Sequence, residues 1–175
     1  PSIGQEVAIQ FRSHAKPPQL LADLMIQQLR EDNASTYTRL IVGERYLARG
    51  RLKEAIQQWE AILRKDPNSG PALNNLALTL IQDDATQIDR ALERIERAFQ
   101  LQPNNAELCD SYGEILMKQE RFIEAIAKLE RAIRLDPKRI ATREKLQECY
   151  RQKGLNDMAE EQGKVIASLR EKESL

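Results

Sequence analysis

Three closely related strings, each containing a proline, recur along this chain and limit what it can fold into. They read AILRKDPNSG, AFQLQPNNAE and AIRLDPKRIA, and their prolines, at positions 67, 103 and 137, are spaced 36 and 34 residues apart. A period in the thirties is typical of stacked supersecondary units, because a unit of that size cannot bury its apolar face alone. The sequence therefore predicts a solenoid in which each unit packs on its neighbours.

Small and large residues recur at fixed places within these units. One set consists of Gly43, Ala77, Gly113 and Gln147, followed three residues later by Tyr46, Leu80, Leu116 and Tyr150. A second set consists of Ala55, Ala91, Ala125 and Ala159, followed four residues later by Trp59, Ile95, Leu129 and Gly163. Antiparallel helices approach closely only where side chains are small, so we expect the glycines and alanines at the helix contacts. The large residues recur at helical spacing and are expected to form the core.

This arrangement resembles the tetratricopeptide repeat family over residues 36–173. The resemblance implies an all-α fold: an α-solenoid of about four antiparallel helix pairs, preceded by an extra N-terminal helix. The predicted helices span 36–49, 52–65, 71–82, 87–101, 106–118, 121–135, 139–152 and 155–172. The predicted units are repeat 1 at 36–69, repeat 2 at 70–105, repeat 3 at 106–139, and at 140–175 a degenerate repeat 4 with a C-terminal capping helix.

The second and fourth units depart from the regular pattern. The second has a two-residue insertion, which falls in DDATQIDR at 83–90, where Thr86 and Asp89 resemble a capping box. The fourth lacks the closing proline and has Glu171 in its place. We expect its last helix to end the stack and to pack inward through Leu155, Met158, Val165, Ile166 and Leu169.

The first 35 residues divide at the KPP sequence of residues 16–18. Residues 19–35 predict a packing helix whose apolar face consists of Leu20, Leu21, Leu24, Met25 and Leu29. Residues 1–18 include EVAIQFR, in which apolar residues alternate, and are predicted to be extended. They are the end of an upstream domain, a tail folded onto the solenoid, or a distorted first helix. Because the chain begins at Pro1, we expect it to be a piece of a longer polypeptide.

Charge and hydropathy exclude two classes of partner. Lys and Arg total 27 and Asp and Glu total 27, so the formal net charge is zero, which disfavours a nucleic-acid partner. The apolar runs are much shorter than the roughly 20 residues that cross a bilayer, so no membrane insertion is expected.

The sequence also lacks the motifs of catalytic, cofactor and metal sites. Its glycines are isolated, so no phosphate-binding loop can be drawn and no cofactor is predicted. His14 is the single histidine, and Cys109 and Cys149 form no CxxC pair, so no metal site is predicted. No nucleophile, base and orienting group can be assembled, and the protein is predicted not to be an enzyme. Two reduced thiols favour a reducing compartment such as the cytoplasm.

The resemblance implies that the first helix of each pair lines a concave groove, which receives a peptide or helix of a partner protein. The matching positions are Tyr37, Leu40, Ile41, Glu44 and Ala48 in repeat 1, and Asn74, Asn75, Leu78 and Gln82 in repeat 2. Repeat 3 contributes Glu107, Asp110, Ser111, Glu114 and Lys118, and repeat 4 contributes Glu144, Lys145, Glu148 and Gln152. This lining is expected to change from apolar to acidic and then to mixed. The expected partner segment carries apolar anchors and at least one Lys or Arg.

One well-known subset of the family binds the C-terminal carboxylate of heat-shock chaperones through five polar positions. Only Asn75 matches this clamp. Leu40 and Glu44 replace a lysine and an asparagine, and Glu107 and Ser111 replace a lysine and an arginine. An anionic terminus would be repelled here, so the chaperone clamp is excluded.

The function predicted on these grounds is a non-catalytic protein–protein interaction scaffold. Two alternatives remain. The chain is a regulatory or targeting domain of a larger enzyme, or it is a self-association module that forms a homo-oligomer.

Overall fold

A computed structural model describes residues 25, 27–29 and 34–173 of the chain. Residues 34–173 fold into eight α-helices, and no strand occurs among the described residues. The helices are α1 Thr36–Ala48, α2 Leu52–Lys65, α3 Gly70–Asp83, α4 Ile88–Leu101, α5 Ala106–Lys118, α6 Phe122–Leu135, α7 Ile140–Gln152 and α8 Asn156–Glu173. A short 3₁₀ helix, Ala85–Gln87, precedes α4. Each helix packs on the next one along the chain, which confirms the predicted all-α solenoid.

The turns have the local chemistry that ends one helix and begins the next. Gly50 and Gly154 follow α1 and α7 with φ of 70° and 71°, a conformation that glycine adopts without a steric penalty. Glu120 occupies the corresponding turn after α5 with φ of 58°. At the other end of the pairs, Ser35 Oγ accepts from Thr38 N at 3.0 Å and caps α1. Asn105 Oδ1 caps α5 in the same manner.

The small positions let the two helices of a pair approach closely. Ala55, Ala91 and Ala125 are fully buried, and Ala159 is nearly so, which confirms the predicted register. A Cβ on Gly43 would lie 2.4 Å from the Trp59 ring, and one on Gly113 would lie 2.6 Å from Leu129 Cγ. Each glycine thus leaves the space that the large side chain of its partner helix fills.

The same complementarity is inverted in the last pair of helices. A Cβ on Gly163 of α8 would lie 2.8 Å from Gln147 Nε2 of α7, so here the second helix carries the small residue. Gln147 crosses over Gly163, and its Nε2 donates to the carbonyl oxygen of Ala159 at 2.9 Å. This contact explains why repeat 4 tolerates a glycine where the other units have Trp59, Ile95 and Leu129.

One continuous core runs through the stack from α2 to α8. Trp59 is completely buried, and its Nε1 donates to Thr79 Oγ1 at 3.3 Å across the boundary between the first two pairs. Most predicted core residues are buried, whereas Tyr46 and Phe99 are only partly so. The first pair has a second, small cluster in which Met25 packs against Ile41.

Three details differ from the sequence-based expectation or lie outside the described residues. The predicted capping box is wrong. The capping residue is Asp84, whose side chain accepts a hydrogen bond from Thr86 N at 2.8 Å and starts the 3₁₀ helix. Leu155, which precedes α8, and Met158 in its first turn do not pack inward but are 41% and 43% exposed. Of the N-terminal helix predicted at 19–35, Met25 and residues 27–29 are described and are helical. The segment predicted to be extended, 1–18, lies outside the described residues.

Candidate functional site

The first helices of the pairs lie next to one another along one face of the solenoid. Helix α3 contacts α5, and α5 contacts α7, although a second helix separates each pair in sequence. Helices α3, α5 and α7 therefore form one face of the stack, and we call this face, extended to α1, the first-helix groove. It consists of the outward positions of α1, α3, α5 and α7.

The apolar part of the first-helix groove is narrower than its sequence suggests. Leu40 and Leu78 are partly buried and pack on the core while keeping some exposed surface. Ile41 is only 3% exposed because it packs against Met25, and Tyr37 borders the same cluster. The accessible apolar surface here is thus formed by two leucines, with Glu44 and Ala48 exposed beside them on α1.

Two of the three acidic residues predicted on α5, Asp110 and Glu114, are ion-paired within the protein. Lys145 of α7 extends its Nζ to 2.9 Å from Asp110 Oδ2 and to 2.5 Å from Glu114 Oε2. Arg139 adds a weaker ion pair with Asp110 at 3.9 Å. Burial lowers the pKa of Lys145, but the hydrogen bonds to Glu114 and Asp110 raise it more, so the pKa lies above its ordinary value. This part of the groove is a cross-helix ion cluster in which two carboxylates share one lysine, while Asp110 Oδ1 accepts no hydrogen bond from a described residue.

The remaining predicted residues lie at the ends and edges of the first-helix groove. Lys118 lines a cavity of about 500 Å³ beside the 3₁₀ turn, together with Ile81, Ile88 and Arg121. On α7, Glu144 pairs with Arg170, and Glu148 accepts from Gln152 Nε2 at 2.7 Å. Gln82 is exposed, whereas Ser111 is buried. The end of the groove formed by α7 is thus largely occupied by internal polar contacts.

A partly open pocket lies between the N-terminal ends of α3 and α5, and we call it the amide pocket. Its volume is about 270 Å³, and it is lined by Glu44, Gly70, Pro71, Asn74, Asn75, Gln102, Asn105, Glu107 and Leu108. The predicted groove includes four of these residues, Glu44, Asn74, Asn75 and Glu107. Sequence reasoning missed the others because they lie at the inter-repeat loops, where the only available signal was the polar NSG and PNN sequences around the prolines.

The thiols provide no reactive centre. Cys109 and Cys149 are both free and buried, as predicted. Burial raises the pKa of Cys109, and it raises that of Cys149 to about 11. Both side chains therefore remain protonated near neutral pH and pack as small apolar groups. In the described ranges no cluster of His, Cys, Asp and Glu is arranged to hold a metal ion. No described helix has the length and apolar character to cross a bilayer.

Comparison with known proteins identifies the family. The sequence profile described as "Tetratricopeptide repeat-like domain" matches residues 5–159. The chain belongs to this family. A curated relative, the "TPR repeat-containing protein PA4667" of Pseudomonas aeruginosa, is 30% identical over 112 residues. That alignment covers 64% of this chain but only 18% of the relative, so the tetratricopeptide chain described here corresponds to a small part of that protein.

Solved structures show the same fold. The crystal structure of MamA superimposes with a TM-score of 0.78 at 22% identity and covers 99% of this chain and 98% of that chain. The structure "MamA 41-end from Desulfovibrio magneticus RS-1" superimposes with a TM-score of 0.79 at 17% identity and covers 97% of this chain and 94% of that chain. At these identities the similarity establishes the tetratricopeptide solenoid and nothing about ligands.

Proposed function

We propose that this chain is a non-catalytic scaffold that binds an extended or helical segment of a partner protein in the first-helix groove. The observation that carries the proposal is the pair of leucines, Leu40 and Leu78, which remain partly exposed on adjacent first helices. They are bordered by the amide pocket. An apolar contact bordered by a polar pocket is consistent with a peptide-binding surface, in which polar groups surround the apolar contact.

The geometry also changes the partner expected from the sequence. Ile41 is covered, so the groove offers two apolar contacts, Leu40 and Leu78, to a partner. Asp110 and Glu114 are paired with Lys145, so they are not unpaired carboxylates for a basic residue of the partner. The partner segment then needs one or two apolar side chains for the leucines, and its polar contacts fall on the side of α3 and α5 where Asn75 and Glu107 lie.

A peptide selected from a random display library against the whole chain provides the probe for this proposal. Replacing Leu78 by Glu places a charge in the apolar contact. We expect the affinity for that peptide to fall about 30-fold, which corresponds to a binding hot spot of ~2 kcal/mol. Titration calorimetry measures the affinity, and circular dichroism checks that the variant remains helical.

Ile123→Glu is the matched control for Leu78→Glu. Ile123 lies on α6, a second helix, and is 62% exposed, so the substitution has the same chemistry on the opposite side of the pair. Its affinity for the peptide is expected to equal that of the unmodified chain. Loss of binding by Ile123→Glu together with full binding by Leu78→Glu would place the site on the second helices and overturn the proposal.

A further inference from the structure

The amide pocket contains a buried acceptor without a donor. Asn74 is 3% exposed, and its Nδ2 donates to Asn75 Oδ1 at 3.5 Å, which orients the amide. Its Oδ1 accepts no hydrogen bond from any described residue. Unpaired buried acceptors are rare in folded proteins, and one that belongs to a pocket-lining residue indicates that the donor comes from a bound molecule.

The charges around the amide pocket determine what kind of donor it accepts. Among the nine described residues that line it, two are acidic, Glu44 and Glu107, and none is basic. Glu107 is exposed on the first turn of α5 and makes no ion pair with a described residue. A cation with several N–H groups satisfies both the amide oxygens and this carboxylate, and hydrogen bonds to charged groups are the stronger ones.

The helix N-termini around the pocket attract negative charge, but the carboxylates of its lining oppose an anion. At α5, Asn105 Oδ1 already accepts from Glu107 N at 2.9 Å and from Leu108 N at 3.3 Å, so the amide groups of this terminus have a partner. At α3, Pro71 contributes no N–H group in the first turn. An anion would therefore lie against the Glu107 carboxylate, whose full negative charge exceeds the ~0.5 elementary charge of one helix N-terminus.

We propose that the amide pocket binds the cationic side chain, lysine ammonium or arginine guanidinium, of the partner segment. The inference rests on the proposed function, because it adds a basic residue to the segment that contacts Leu40 and Leu78. It also relocates the basic residue expected from the sequence. The site of that residue is Glu107 and Asn74 rather than Asp110 and Glu114, which already share the Lys145 ammonium.

Side-chain amide resonances provide a direct test on the whole ¹⁵N-labelled chain. The probes are the N-methylamides of Nα-acetyl-arginine and Nα-acetyl-lysine, with the Nα-acetyl-norleucine compound as the uncharged analogue. We expect saturable shifts of the Asn74 and Asn105 amide signals with the two cationic probes and none with the norleucine probe. Equal binding of the uncharged analogue, or the absence of saturable shifts at these amides, would overturn the inference.

Four variants locate the residues that contribute to binding. Glu107→Gln is expected to lower the affinity for the cationic probes about tenfold, because their hydrogen bond to a charged carboxylate is lost. Asn74→Ala is expected to abolish the shift of the remaining reporter, the Asn105 amide signal, while the midpoint of urea unfolding stays the same or rises, since the variant removes an unpaired acceptor. Glu93→Gln, which changes the net charge equally on the exposed side of α4, is expected to leave the affinity unchanged. If Glu114→Gln lowers the affinity more than Glu107→Gln does, the cation binds at the ion cluster between α5 and α7 and the inference is overturned.

The failure of this inference and that of the proposed function are distinguishable. Groove-binding peptides that keep their affinity when every Lys and Arg is replaced by norleucine would refute the cation pocket but leave the groove as the binding site. Cationic probes that bind the amide pocket while selected peptides ignore Leu78→Glu would refute the groove proposal alone.

Discussion

At the scale of single residues, the contact between the two helices of a pair depends on one small and one large side chain that fit together. Gly43 lies under Trp59 and Gly113 under Leu129, whereas in the last pair Gln147 covers Gly163. The inversion shows that what each pair needs is complementary volume. Which helix carries the small residue is secondary, because the packed interior only requires that the space be filled.

Gly113→Ala tests this complementarity. The added Cβ would lie 2.6 Å from Leu129 Cγ, so we expect the free energy of unfolding to fall by ~1 to 3 kcal/mol, despite the higher helix propensity of alanine. Urea unfolding of Gly113→Ala, Leu129→Ala and the double variant measures the effect as a double-mutant cycle. The losses of unfolding free energy in the two single variants should sum to more than the loss in the double variant, since truncation of Leu129 makes room for the new methyl group. Strict additivity would mean that the two side chains do not compete for this space.

At the scale of helices, α5 and α7 are joined by a cation shared between two carboxylates. Lys145 is 24% exposed at its side chain, and its partners Asp110 and Glu114 are 13% and 35% exposed. Partly buried charges of this kind are costly when one partner is removed, because the remaining charges have lost both water and their counterion. The cluster therefore holds two first helices in register and at the same time removes negative charge from the first-helix groove.

Replacing Lys145 by Met is expected to lower the free energy of unfolding by ~1 to 3 kcal/mol, because Asp110 and Glu114 are left facing each other without a cation. Lys138→Met, at an exposed position, serves as the control and should change stability by less than about 0.5 kcal/mol. Adding Asp110→Asn and Glu114→Gln to Lys145→Met should restore much of the loss. Urea unfolding near neutral pH measures all three variants. If the two lysine variants behave alike, the cluster does not stabilise the helix contact.

At the scale of the whole molecule, the same hydrogen bond links one unit to the next at two successive boundaries. Tyr112 donates its hydroxyl to Glu96 Oε1 at 2.8 Å, and Tyr150 donates to Glu130 Oε1 at 2.8 Å. In each case a tyrosine of a first helix reaches the preceding second helix. Burial and the carboxylate raise the pKa of Tyr112 to about 12, and they raise that of Tyr150 as well. Contacts that recur at successive boundaries make the stack cooperative, as expected of a solenoid.

These raised pKa values predict a loss of stability at high pH. An unfolded tyrosine loses its proton near pH 10, whereas Tyr112 keeps its proton up to about pH 12, so its contribution is complete below pH 10 and is lost as the pH rises through this interval. Tyr112→Phe lacks this contribution, and Tyr150 affects both proteins equally. The stability difference between the unmodified chain and Tyr112→Phe should therefore narrow as the pH rises from about 10 to about 12. Urea midpoints at intervals from about pH 8 upward measure the difference. A difference independent of pH would contradict the buried hydroxyl–carboxylate bond.

Much of the architecture could be predicted from the sequence alone. The helix bounds agree to within about two residues, and the alanines at 55, 91, 125 and 159 are buried as expected. These features are encoded locally, because periodic apolar positions, glycines in turns and prolines after helices act through near neighbours in the chain. The face on which the groove positions lie follows from the same register.

The tertiary structure alone decided how the polar groups of the candidate site are paired. Lys145 of α7 pairs with Asp110 and Glu114 of α5. The amide pocket combines residues of α1, α3, α5 and the loop before α5. Neither arrangement follows from spacing, since it depends on how far each helix is rotated and displaced against its neighbours. The exposure of Leu155 and Met158 has the same origin. An apolar residue is buried only where another element covers it, and which side of a helix is covered is a property of the assembled fold.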